Sequence, residues 1–466
     1  MTNWIPKLDP AQPRYLAIAD ALAADIVAGR LKPGDRLPTH RDLAWNLKVT
    51  VGTVSRAYRE AERRGLILGE VGRGSFVAPP AQSPPRYRNR PNERPGFVNL
   101  SANVATSGPI VTDAAAAFAE LGQDTILTRL MDYQPIFGDA EQLETAAEWV
   151  QSHGLAVKPS ELALTNGAQH AAMLAMSALA RSGDAVLCEP LTFYGMKALA
   201  RMLELKLHGV EMDGEGIRPE ALDSACRATG ARLLYTVPTL QNPTASVMSD
   251  ARRAEIAEVC RRHEVWVVED DIYAFLLPPT LAERPAPIAQ HLPELTLYTN
   301  SVSKVGLPGL RVGYLRFPEK LRGLIDNSVR ASGVSPNGVS HEIARRLIES
   351  GAIRRAEDWQ REEIAARQAT ARAILDGHRI QTHPNSMHLW LHLPQVWTAE
   401  RFALAAERAG VGVLPASTIS CDRSPGVEAV RLSLGCPATR SELETALFRL
   451  RDLAMQEDPA LELAAL

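Results

Sequence analysis

Ser301-Val302-Ser303-Lys304-Val305-Gly306-Leu307-Pro308-Gly309-Leu310-Arg311 is the stretch on which the reading of this chain turns. Lys304 follows an apolar run, Leu295 to Tyr298, with the character of a buried strand. Ser303 and Ser301 stand one and three residues before it, and Arg311 seven after. Hydroxyls and a guanidinium around a lysine are the groups that hold a phosphate whose carrier is tethered to that lysine as an imine. The plain alternative is a surface lysine before a Gly/Pro turn, and the motif alone does not decide between them.

The runs Ala185 to Cys188, Leu233 to Val237 and Val265 to Val268 resemble the one before Lys304. They are apolar on both faces and alternate with helical patterns such as Ala251 to His263, which predicts an α/β fold with a mostly parallel sheet covered on both sides. Such sheets bind ligands beyond the carboxyl ends of their strands. There the sequence places Gln241-Asn242-Pro243-Thr244, then Glu269-Asp270-Asp271-Ile272-Tyr273, then the lysine stretch. Taken singly, Asn242-Pro243 reads as a turn and Asp270 as a helix cap. An amide, an acid with a tyrosine three on, and a lysine after three consecutive strands form a set with ordered roles.

That set resembles the type I aminotransferases, over residues 99 to 450. The resemblance implies pyridoxal 5'-phosphate (PLP) as cofactor. Lys304 is then the imine lysine, Asp270 the partner of the pyridine nitrogen (Asp271 its rival), and Asn242 and Tyr273 the partners of the ring oxygen. Thr165-Asn166-Gly167-Ala168-Gln169 corresponds to the phosphate cup, with the Ala168 and Gln169 amides at a helix N-terminus and Ser301, Ser303 and Arg311 completing it. In Glu189-Pro190-Leu191-Thr192-Phe193-Tyr194-Gly195 the ring that stacks on the cofactor is Phe193, with Tyr194 as rival. Tyr133 and Gly138 match the segment that reaches a partner subunit's phosphate, which implies a homodimer. Arg431, in Val430-Arg431-Leu432-Ser433-Leu434, matches the arginine that pairs with a substrate or effector carboxylate; its plain alternative is an edge-strand surface arginine. Two departures stand out: Leu143-Glu144 where the family carries Leu-Arg, and an unfamiliar pattern from Leu100 to Pro109.

The chain has 466 residues, enough for two or three domains of ~150. It has no apolar run of ~18 residues, and Met1-Thr2-Asn3-Trp4 does not open a signal peptide, so a cytoplasmic protein with no membrane span is expected. Five scattered cysteines suit reduced thiols. Cys260-Arg261-Arg262-His263 lacks a second ligand pair and reads as a helix end, so no metal is expected. Residues 1–95 hold 16 Lys and Arg against 9 Asp and Glu; +7 there leaves −10 for the rest of a chain whose net charge is −3. A basic front on an acidic body suggests that the front meets a polyanion.

In that front, Tyr15, Leu16, Ile18, Ala19, Leu22, Ala23, Ile26 and Val27 recur at helical spacing. Thr39-His40-Arg41-Asp42 has the form of a capping box, Thr50 can cap the next helix, and Leu66-Ile67-Leu68 and Ser75-Phe76-Val77 read as a hairpin. This is a winged helix-turn-helix. Leu37-Pro38-Thr39-His40-Arg41-Asp42-Leu43-Ala44, Thr53-Val54-Ser55-Arg56-Ala57-Tyr58 and Gly72-Arg73-Gly74-Ser75-Phe76-Val77 resemble the GntR family of bacterial regulators. The resemblance implies double-stranded operator DNA as partner and Arg41, Thr50, Thr53, Arg56 and Arg73 as its contacts, Arg41 and Thr50 mainly on phosphate and Arg56 on a base edge. Val51 stands where the family often has arginine.

The expected organisation is a winged helix-turn-helix over 1–78, a Pro/Arg-rich linker over 79–98, and an aminotransferase-like domain over 99–466 with a large subdomain at about 130–330 and a small one at about 331–466. The linker arginines either add nonspecific DNA affinity or solvate a tether. The combination resembles the MocR type of regulators and implies a PLP-dependent transcription factor that senses an amine, an amino acid or PLP by imine exchange at Lys304. An active aminotransferase with an incidental winged helix is the rival reading, and a regulator with a purely structural body is a third.

Overall fold

The computed structural model describes residues 4–6, 12–32, 34–63, 66–70, 74–77, 96–279, 284–421 and 426–456. Arg73 of the expected wing and the linker over 79–95 lie outside the described residues. The chain divides into two units, Met1–Arg88 (the head) and Asn89–Leu466 (the body), inside the expected linker.

The head has helices α1 (Arg14–Val27), α2 (His40–Leu47) and α3 (Val51–Arg63) and an antiparallel pair, β1 (Ile67–Glu70) and β2 (Gly74–Val77), with Ile67 opposite Val77. Ile18, Leu22, Leu43, Val54, Ala57 and Tyr58, placed at helical spacing, form its core with Leu37, Ile67 and Val77. The Thr39 hydroxyl accepts the Asp42 N–H at 3.2 Å and donates to the Asp42 carboxylate at 2.6 Å, a cap worth about 1 kcal/mol. Tyr58 donates its hydroxyl to the Pro38 carbonyl at 2.8 Å, tying α3 to the turn before α2. The stretch after Gly34 also pairs with β2: the Val77 N–H donates to Asp35 O and the Leu37 N–H to Ser75 O, each at 2.9 Å. Paired so, this stretch gives the wing a third edge.

The body is built on seven strands, β3 (Leu162–Thr165), β4 (Ala185–Cys188), β5 (Lys206–Gly209), β6 (Leu233–Thr236), β7 (Trp266–Asp270), β8 (Thr296–Ser301) and β9 (Gly313–Arg316), in the order β3-β9-β8-β7-β6-β4-β5. Every pairing from β8 to β5 is parallel, and β9 runs antiparallel to both its neighbours. β6 and β8 are buried along their whole length, as strands covered on both faces must be.

A smaller antiparallel sheet contains β10 (His388–His392) and β11 (Ala429–Ser433), with Ile380–Gln381 beside β10 and Leu414–Pro415 beside β11. Val98 and Leu100 join its core, and their N–H groups donate to Gly410 and Gly412 carbonyls at 2.8 and 2.7 Å. Helix α5 (Ala352–Ile374) connects the two cores. Ile353, Ala356 and Ile364 pack under the large sheet and Ala371 under the small one. The change of core therefore falls within α5. Residue 331 lies well before it, because Ile343 and Leu347 still belong to the large core. Among the described residues, no helix is long and apolar enough to cross a membrane.

Candidate functional site

Because β6, β7 and β8 are parallel neighbours, the segments after them open at one edge of the sheet. Asp270 ends β7. Strand alternation sends Glu269 to one face, where it accepts the Ile288 and Ala289 N–H groups at 2.8 and 2.9 Å, and Asp270 to the other, where it accepts the Tyr235 hydroxyl at 2.7 Å. Asp271 accepts the Tyr298 hydroxyl at 3.1 Å and feels the buried Arg253, so it is used inside the core. Burial pushes the Asp270 carboxyl up to about 6, against the opposing bond from Tyr235.

Lys304 is half-buried in the turn after β8, and its Nζ donates to the Asn103 carbonyl. Burial lowers its ammonium to about 8; Arg431 pushes the same way and Asp270 opposes. An amine of that pKa is free base in about a tenth of molecules at pH 7, which suits a nucleophile. Tyr273 accepts the Asn103 amide N–H at 2.7 Å, and its ring centroid lies 5.9 Å from Lys304 Nζ.

Arg431 sits on β11 between β10 and Leu414–Pro415 and is wholly buried, so the edge-strand alternative does not hold. It donates through Nη1 to Asn242 Oδ1 at 3.0 Å and through Nη2 to the Ser101 carbonyl. His388 is also buried. Its Nε2 donates to the Gln241 carbonyl at 2.9 Å and its Nδ1 meets the Asn103 amide at 3.3 Å; burial drives the ring down to about 3, so it is neutral.

Of the residues expected at the cup, Arg311, at φ 54°, lays its guanidinium against the start of helix α4, here Ala168–Leu179, with Nη2 donating to Asn166 O at 3.2 Å. Gly167, at φ +88°, permits this: a Cβ there would stand 2.6 Å from Arg311 Nη2. The Ala168 and Gln169 amides open the helix and have no acceptor within it, which makes an anion-binding end. Ser301 Oγ donates to Val312 O at 2.7 Å and accepts the Ser303 N–H at 3.1 Å, so the two serines shape the turn that carries Lys304.

Of the two candidate rings, Tyr194 packs with Leu191 against the cluster around Trp390, while Phe193 covers Gly195. Tyr133 is 81 % exposed. In the head, Thr50 caps α3 by accepting the Thr53 N–H at 3.1 Å, and the two hydroxyls meet at 2.9 Å. Arg56, expected at a base edge, lies with its guanidinium 4.2 Å from the ring centroid of Tyr15, where it packs α3 against α1. Arg41 and Lys48 are exposed, and with Ala44, Trp45, Val49 and Val51 they line an open depression of about 500 Å³.

Ser101, Asn103, Tyr235 and His388 were not singled out by the sequence. The first two fall in the unfamiliar pattern from Leu100 to Pro109, which was the one signal available.

Residues 95–450 match the aminotransferase class I and II family, and the chain belongs to that family. Residues 14–77 match the bacterial regulatory proteins of the gntR family. The two together define a transcriptional regulator that carries a GntR winged helix on an aminotransferase-like body. The chain is similar to the uncharacterized HTH-type transcriptional regulator YdeF of Bacillus subtilis (strain 168), 28% identical over 459 residues that span 97% of this chain and 96% of that one. It is also similar to the probable rhizopine catabolism regulatory protein MocR of Rhizobium meliloti, 25% identical over 88% of this chain and 87% of that one. Among solved structures, an archaeal alanine:glyoxylate aminotransferase overlays with TM-score 0.71 at 22% identity, covering 78% of this chain and 91% of its own. LysN, an alpha-aminoadipate aminotransferase from Thermus thermophilus complexed with N-(5'-phosphopyridoxyl)-L-leucine, gives 0.71 at 22%, covering 80% and 94%. These overlays show the fold.

Proposed function

We propose that the body binds PLP at Lys304 and uses it to sense an amine or amino acid, and that this occupancy sets the affinity of the head for double-stranded operator DNA. The observation that carries the reading is Lys304 itself: half-buried, its ammonium lowered to about 8, beside Asp270 at the ends of three adjacent parallel strands. When bound, PLP supplies an aldehyde that condenses with amines and a ring that draws electrons.

The residues present fit it. Asp270 would hold a proton on the ring nitrogen, Asn242 and Tyr273 would serve the ring oxygen, and Phe193 would cover the ring. The α4 amides of Ala168 and Gln169, with Ser301, Ser303 and Arg311, would take the phosphate. Lys304 would tether the aldehyde and hold or move a proton at Nζ. Arg431 holds that amine's carboxylate where it has one. Released Lys304 and newly engaged Arg431 favour one body conformation, which the head reads as altered half-site geometry.

Exposed Tyr133, Met131 and Val334 support a homodimer that completes the cup from a second subunit. Arg41, Thr50, Thr53, Arg56 and Arg73 are the proposed DNA contacts, and the cytoplasm is the proposed compartment. The intact set of Lys304, Asp270 and Arg431 also supports a second reading, retained aminotransferase turnover, which an amino acid with 2-oxoglutarate tests directly.

The absorbance spectrum of the full chain reconstituted with PLP checks the cofactor. A visible band removed by borohydride and missing in Lys304→Ala is expected. A colourless protein after reconstitution overturns the PLP reading.

A further inference from the structure

Cys188 and Cys421 lie 233 residues apart in sequence, yet their sulfurs are 3.1 Å apart. Cys188 ends β4 of the large sheet and is buried. Cys421 is half-buried, two residues past the short helix Ala416–Ile419 that packs against the small sheet. The backbone on both sides is clamped. The Cys421 N–H donates to Pro190 O and the Thr192 N–H to Ile419 O, both at 2.8 Å, with Leu191 opposite Ser420 in an antiparallel bridge. The Cys421 thiol also donates to the Glu189 carbonyl at 3.3 Å. Two short segments from different subdomains thus form a fixed strap that holds one thiol against the other. The sulfurs need approach by only about 1 Å to reach bonding distance. The other cysteines are placed elsewhere: Cys226 and Cys260 in the cluster beneath the large sheet, and Cys436 within electrostatic range of Lys304.

We propose that Cys188 and Cys421 are a modification site at which hydrogen peroxide forms an intramolecular disulfide, fastening the small subdomain to the strand end of the large one. The half-buried Cys421 thiolate attacks a peroxide oxygen. The S–O bond forms, the O–O bond breaks, and hydroxide leaves and takes up the thiol proton as water. Cys188, buried behind it, then attacks the Cys421 sulfur as its own thiolate; the S–S bond forms, the S–O bond breaks, and a second water leaves. Two thiols lose two electrons and two protons, and one peroxide becomes two waters. Disulfides of reducing compartments are characteristically transient and redox-sensing.

The strap carries the Glu189-to-Tyr194 segment with Phe193, and the small sheet beside it carries Arg431. The bond therefore joins the segment that carries Phe193 to the subdomain that carries Arg431 and restricts their relative movement. The inference rests on the body's thiols alone and stands apart from the cofactor and effector reading.

The test uses the reduced full-length chain, without added PLP or DNA, exposed to a few equivalents of hydrogen peroxide. Thiols are then counted in denaturant, and the alkylated digest is mapped by mass spectrometry. Free thiols are expected to fall from five to three, with the Cys188 and Cys421 peptides joined and dithiothreitol restoring all five. Cys421→Ser is expected to keep all four of its thiols. The oxidised wild type is expected to unfold at a higher temperature than the reduced form, because a cross-link across so long a loop restrains the unfolded chain. Five thiols surviving peroxide, oxidation of Cys421 to sulfinic acid with no linked peptide, or a linked peptide that bridges two isotopically distinct chains would overturn the proposal.

Discussion

In the head, Arg41 and Val51 stand exposed on α2 and at the start of α3, whereas in the body Asp270 and Arg431 are buried and each meets a hydrogen-bond partner at 3.0 Å or less. An exposed cation acts on a polyanion through water, at a strength that salt tunes and that adds up contact by contact. A buried charge acts through fixed geometry and depends on every neighbour that holds it. Changes to the body should therefore be large and specific, and changes to the head small and salt-dependent.

The largest expected effect is at Lys304. Lys304→Ala should abolish the PLP band and any amine-dependent change in DNA binding, while leaving the head folded and able to bind DNA. Titration of labelled DNA with and without amine reads both, and a full amine response in the variant would break the contrast between the two units. Next comes Arg431→Lys, which loses the planar fork. Effectors bearing a carboxylate should bind about 10- to 100-fold more weakly, the worth of a charge-assisted bond, while simple amines bind as before. Equal losses for both classes would show that Arg431 serves the site's structure alone.

A smaller effect is expected from pH. Lys304 is the reactive free base above its pKa, and burial brings that value to about 8. The rate at which apoprotein takes up PLP should therefore rise with pH from 6, gain about tenfold between pH 7 and 9, and level off. Stopped-flow absorbance follows it, and a rate still climbing past pH 10 would place Lys304 in ordinary solvent. Smallest is Arg41→Ala. Operator affinity should fall only a few-fold, by about the same factor on any DNA sequence, with the salt slope reduced by about one. A loss confined to one operator would make Arg41 a base reader.

Much of this site could be read from residue types because strand ends are local. Asn242, Asp270 and Lys304 each follow an apolar run, and a parallel sheet brings such ends together. Asp270 was chosen over Asp271 by resemblance alone; strand alternation and the Tyr235 and Tyr298 hydroxyls show that the two carboxylates have different surroundings. Asn103 meets Lys304 from 201 residues away and Ser101 meets Arg431 from 330, and His388 comes from the small sheet, so no spacing announces them. The change of core is hard to read from sequence for a related reason. The helical pattern of α5 runs unbroken while the core beneath it changes. In the head, nothing in a linear pattern shows the Tyr15 ring beneath Arg56.

The central claim is that occupancy at Lys304 governs the head. Its most direct test is the affinity of the full, PLP-loaded chain for an operator selected by the protein itself, measured at fixed salt across a panel of amines and amino acids. The account predicts that at least one of them changes the wild-type affinity several-fold and that Lys304→Ala shows no such change. An affinity that no amine moves, or one that moves equally in wild type and Lys304→Ala, would contradict it.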